Sequence, residues 1–76
     1  MAQRLPRITG AQLLRALLRA GWYEHRQVGS HVQLKHPDKP GRVTVTVHAG
    51  VVLKPKTLTT ALEQAGLTVA DFRELD

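Results

Sequence analysis

The chain has 76 residues, 42% of them apolar, so it has room for one small domain with a modest core and is globular rather than disordered. Cysteine is absent, which excludes disulfides and thiolate metal sites. No apolar run approaches the ~18 residues of a membrane span and no secretory segment opens the chain, so a soluble, cytoplasmic protein is expected. Eleven Lys and Arg stand against six Asp and Glu, a net charge of +5, and four of the acids come late (Glu63, Asp71, Glu74 and Asp76); that asymmetry favours one basic face and a polyanionic partner, most often nucleic acid.

In chain order, the first element is a helix over about 10–20. Thr9 and Gln12 have capping-box spacing, and Ile8 and Leu13 are placed as a hydrophobic staple. Leu13, Leu14, Leu17 and Leu18 form an apolar stripe, and Gly21 suits a left-handed cap. Three strand-like segments follow. The first, 22–28, is the weakest because Glu24, His25, Arg26 and Gln27 are polar. The second, 30–36, ends at a turn cluster over 37–41, and the third, 42–48, alternates Val43, Val45 and Val47 with Thr44, Thr46 and His48.

Strands two and three read as a hairpin. Putting both apolar rows on one face pairs Val32 with Val45 and Leu34 with Val43, which sets His31 opposite Thr46 and diagonal to His48. A second helix, capped by Thr57, would bury Leu58, Ala61, Leu62 and Ala65 and end at Gly66. Thr68 and Asp71 start a short helical turn that carries Phe72 and Leu75. The expectation is an α+β fold in a single domain, 1–76, of order α-β-β-β-α. Its three-stranded antiparallel sheet would have both helices on one face, plus a C-terminal helical turn. The open face would carry His31, Gln33, Lys35, Arg42, Thr44 and His48.

Few residues carry site chemistry. The histidines His25, His31, His36 and His48 fit a metal poorly, since His31 and His36 are five apart on one strand and point to opposite faces. Ser30 lies beside His31, but adjacent strand residues diverge and no Asp is placed to orient the imidazole, which argues against a serine hydrolase. No metal and no cofactor are expected. An exposed histidine among cations can nonetheless serve RNA, which brings its own nucleophile, the 2′-hydroxyl; the residues alone leave binding and cleavage both open. Lys54 and Lys56 flank the start of the second helix, where free N–H groups and the dipole favour phosphate, although ordinary capping would account for the same residues.

The order and spacing of several short motifs then point further. Gly21-Trp22, Gly29-Ser30-His31, His36-Pro37, Val43 to His48, Lys54-Pro55, and Thr57-Leu58 leading to Gln64-Ala65-Gly66-Leu67 resemble HicA-type toxins over about residues 8–72. The resemblance implies a double-stranded-RNA-binding-like fold and an endoribonuclease (mRNA interferase) that cleaves messenger RNA. It also implies neutralisation by a HicB-type antitoxin that covers the active site. It places the catalytic histidine at His31, within Gly29-Ser30-His31, and gives Lys35, His36 and His48 to RNA binding; Gly29 and Ser30 beside the catalyst, and Lys54 and Lys56 at the start of the second helix, are expected to bind RNA as well. Many relatives have Pro at Thr46 and Gly at Lys56, and neither departure removes the proposed catalyst. A non-catalytic RNA-binding module of the same fold is the alternative.

Overall fold

The structure, a computed structural model, describes residues 5–75; residues 1–4 of the expected domain, and Asp76 among its late acids, lie outside the described residues. The elements run α1 (Gly10–Arg19), β1 (Tyr23–Val28), β2 (His31–Lys35), β3 (Val43–Thr46), α2 (Pro55–Ala65) and α3 (Val69–Leu75). The strands form one antiparallel sheet in the order β1-β2-β3. This is the expected α+β order, with each strand a residue or more shorter than the alternation suggested.

The start of α1 follows from its sequence. Thr9 Oγ1 accepts the N–H of Gln12 at 3.2 Å, and Gln12 Oε1 accepts the N–H of Thr9 at 2.8 Å, so two orphan donors of the first turn are satisfied reciprocally. The staple residues Ile8 and Leu13 are both buried. At the other end the Trp22 N–H reaches Leu17 O at 3.0 Å and the Gly21 N–H reaches Leu18 O at 3.1 Å. This Schellman closure takes Gly21 to φ 96° and puts Trp22 in the core just ahead of β1 rather than in the strand. The buried face of α1 is Gly10, Leu13, Ala16 and Leu17. The expected four-leucine stripe is rotated: Leu14 is half-buried and Leu18 is exposed, because positions 10, 13 and 17 line up on one side of a 3.6-residue period.

The β2–β3 register is as expected: Val32 faces Val45, Leu34 faces Val43 and His31 faces Thr46. These four apolar residues bury against Leu13 and Leu17 of α1 and Leu58, Ala61, Leu62 and Ala65 of α2, with Phe72 of α3 closing the cluster. Only one sheet face is covered, which leaves the other to solvent.

Helix α2 departs from expectation at its start. It begins at Pro55, with Lys54 as the N-cap and no side-chain cap bond, so Thr57 sits inside the first turn. Proline fixes φ near the helical value, and its missing N–H is one of the orphans in any case, which lets the helix start three residues early. Thr68 and Asp71 do form the expected reciprocal box at α3, with both bonds at 3.0 Å.

Candidate nucleic-acid interface

Val28 and His31 are paired across β1 and β2, so Gly29 and Ser30 form a two-residue hairpin loop. Gly29 adopts φ 57°, which a tight turn of this kind demands at its first central residue and which glycine supplies without steric cost. The Gln27 side chain braces the turn, donating from Nε2 to Gly29 O at 3.0 Å. His31 follows at once, exposed, with Val28 on one side and Thr46 on the other.

The ladder continues past the end of β3. The Val47 N–H donates to Ser30 O at 2.8 Å, and this carries His48 back toward the turn, where its Nε2 lies 3.5 Å from Ser30 Oγ. Gly29, Ser30, His31 and His48 are therefore gathered at one end of the sheet. Lys35 is on the same face as His31, four residues further along β2 and so roughly 13 Å away at about 3.3 Å per residue. Arg42 reaches over this face too, donating from Nη1 to Gln33 Oε1 at 3.2 Å.

Strand β1 completes the open face in a way that periodicity did not reveal. The register slips between Glu24 and Arg26, leaving His25 as the extra residue of a bulge. Directly paired residues share a sheet face, so Tyr23 (opposite Lys35), Arg26 (opposite Gln33) and Val28 (opposite His31) all join the open face. Glu24 and Gln27, opposite Leu34 and Val32, fall on the other. Without the bulge, simple alternation would separate Tyr23 from Arg26 and Val28. The open face thus collects Arg26, Lys35 and Arg42, while the strands' one carboxylate is turned away.

His36 is not part of this cluster. Its Nδ1 accepts the Asp38 N–H at 3.0 Å, which requires the ring proton on Nε2, and Nε2 lies 3.2 Å from Ala20 O, to which it donates. The ring also packs edge-on to Trp22, with centroids 5.3 Å apart. Both nitrogens are thus committed to backbone groups, and the residue ties the end of β2 to the end of α1.

Lys54 and Lys56 lie beyond the edge of the sheet formed by β3. They line a groove of about 400 Å³ between β3 and α2, together with Thr44, Thr57, Thr60 and Gln64. Gln64 Oε1 accepts the Thr44 N–H there at 3.4 Å, so an edge amide of β3 is capped by a side chain. Among the described residues no three His, Asp or Glu side chains cluster closely enough to hold a metal ion. Sequence reasoning missed Tyr23, Arg26 and Gln64: two became site residues through the bulge, and the third through a contact 20 positions away.

Residues 10–67, most of the chain, match the family model described as HicA toxin of bacterial toxin-antitoxin. No curated protein matches the chain.

Proposed function

The chain belongs to the HicA family and is a toxin of a toxin–antitoxin system, and on that premise we propose that it is a metal-independent endoribonuclease that cleaves messenger RNA by proton transfer at His31. The observation that carries this reading is the position of His31. It is exposed beside a glycine turn, on a sheet face that presents Arg26, Lys35 and Arg42 and no strand carboxylate.

In this reaction the RNA 2′-oxygen bonds to the adjacent phosphorus as the bond to the 5′-oxygen breaks, leaving a cyclic phosphate and a free 5′-hydroxyl. His31 takes the 2′-hydroxyl proton or gives one to the departing oxygen, and the neighbouring cations offset the charge that builds on the phosphate. Gly29 presents no side chain at the turn, so the RNA backbone can come close to His31. His48, aimed by Ser30, holds the phosphate at the same end of the sheet, and Lys35 holds the chain further along β2. Lys54 and Lys56 take a more distant phosphate at the start of α2. His36 supports binding indirectly, by fixing the end of β2 that carries Lys35.

A toxin requires an antitoxin, and the partner proposed is a HicB-type protein that covers the open face and shields His31. No helix among the described residues is long and apolar enough to cross a membrane, and the reading puts the protein in the cytoplasm with its messenger RNA substrate.

The test is cleavage of a labelled messenger RNA in EDTA by wild type and by His31→Ala. Cleavage by wild type that disappears in the variant is the expected result. Equal cleavage by the two would overturn the mechanism, and RNA that is bound but left intact would favour a binding module.

A further inference from the structure

We infer that Tyr23 is a nucleobase-stacking subsite, and that the RNA this protein takes is single-stranded and runs along β2 from His31 to the Tyr23–Lys35 pair. The inference rests on the ribonuclease reading and adds to it a ligand class and a residue. Tyr23 is 47% exposed at the first position of β1 and is paired with Lys35 on the open face. An aromatic ring with a cation beside it on an exposed sheet is a platform for one base and its phosphate: the ring accepts any base by its π-face, and the lysine meets the backbone.

The bulge at His25 makes this arrangement. By adding one residue between Glu24 and Arg26, it brings Tyr23, Arg26 and Val28 onto the face that holds His31, and leaves Glu24 on the other. The face therefore carries cations from beside His31 to its far end, Arg26 at the Arg26–Gln33 pair and Lys35 at the Tyr23–Lys35 pair, with Arg42 reaching in from just before β3. Charge complementarity selects a polyanion. The aromatic platform selects unpaired bases, because a base inside a duplex has no free π-face to offer. The span of roughly 13 Å from His31 to Lys35 suits a single strand of a few nucleotides.

The test is the affinity of a short 2′-O-methylated single strand of mixed sequence, which has no free 2′-hydroxyl and so cannot be cleaved, for wild type, Tyr23→Ala and Tyr23→Phe. A parallel series uses the same sequence as a duplex. Tyr23→Ala is expected to bind the single strand about tenfold more weakly, Tyr23→Phe to bind within about twofold of wild type, and the duplex series to show no difference. The subsite is overturned if Tyr23→Ala binds the single strand as wild type does, if Tyr23→Phe falls as far as Tyr23→Ala, or if wild type does not bind the single strand. It is also overturned if Tyr23→Ala changes the oligomeric state while RNA affinity holds, since the face would then belong to a second copy of the chain. The two readings fail separately. The expected binding pattern without any cleavage of an unmodified transcript overturns the ribonuclease and keeps the subsite. His31-dependent cleavage with an affinity indifferent to Tyr23 does the reverse.

Discussion

Ser30 Oγ lies 3.5 Å from His48 Nε2, at the outer limit of a hydrogen bond. The contact joins the turn before β2 to the segment after β3, and the Val47 N–H to Ser30 O bond beside it holds the two segments in register. In the proposed site His48 touches phosphate and Ser30 aims it. His48→Ala should weaken binding of an uncleavable single strand about tenfold, the loss of one charge-assisted hydrogen bond. Ser30→Ala should weaken it about twofold, and the double variant should be no worse than His48→Ala alone, because the serine acts through the imidazole. Additive losses would give Ser30 its own contact with RNA.

Gly10 is the first residue of α1 and packs on the backbone of Thr46; a Cβ there would collide with the Thr46 carbonyl oxygen. Glycine to alanine in a helix ordinarily stabilises by about 0.5–1 kcal/mol. Here the sign inverts. The neighbour is backbone at the end of β3 and cannot rotate away, so Gly10→Ala should destabilise by about 1–3 kcal/mol. Because Thr46 faces His31, the variant should also lose RNA affinity. Thermal unfolding checks the first expectation, and a stabilised Gly10→Ala would contradict it.

His36→Ala separates support from contact. The change removes a donor to Ala20 O, an acceptor for the Asp38 N–H and an edge contact with Trp22, together about 2 kcal/mol and roughly 10 °C of melting temperature. RNA affinity, measured well below the midpoint, should stay within about threefold of wild type. A stable variant that binds RNA tenfold more weakly would put His36 on the RNA instead.

How much of this was legible in the sequence depends on the strand. In β2 and β3 the apolar residues alternate, and only one pairing buries Val32, Leu34, Val43 and Val45 together, so register and the exposure of His31 could both be read. In β1 every residue is exposed, so burial sets no phase, and the bulge that fixes the facing of Tyr23 and Arg26 is a backbone event with no side-chain signature. The start of α2 was misplaced because Thr57 is a good cap and Pro55 is a better first helical residue. The task of His36 was hidden because its acceptor, Ala20, is brought to it only by tertiary packing.

The cap of α3 makes stability depend on acidity. Asp71 accepts the Thr68 N–H at 3.0 Å; that bond, the Thr68 side chain and nearby Lys39 hold its carboxyl below the ordinary 3.8. A carboxyl lowered by folding contributes stability that is present above the unfolded value and is lost as pH falls through the folded value. Asp71→Asn should therefore be slightly less stable than wild type at pH 7. The gap should narrow below about pH 4 and close once the wild-type carboxyl is protonated. Melting curves of both proteins over that range provide the check, and a gap independent of pH would remove the charge from the account.

Lys54 and Lys56 test the reach of the RNA beyond the open face. Lys54 makes no side-chain cap bond and both lysines are exposed, so Lys54→Gln and Lys56→Gln should leave the melting temperature unchanged. If a phosphate sits at the start of α2, each lysine that neutralises it releases counterions. Removing one should then flatten the dependence of log affinity on log salt by about 0.7 for a single strand. The loss should be similar for every RNA sequence, since a phosphate contact carries no base information. Losing Tyr23, by contrast, should lower affinity at all salt concentrations with little change of slope, because stacking displaces few ions. A slope unaltered in both lysine variants would confine the RNA to the sheet face and leave the start of α2, with Thr60 and Gln64, outside its path.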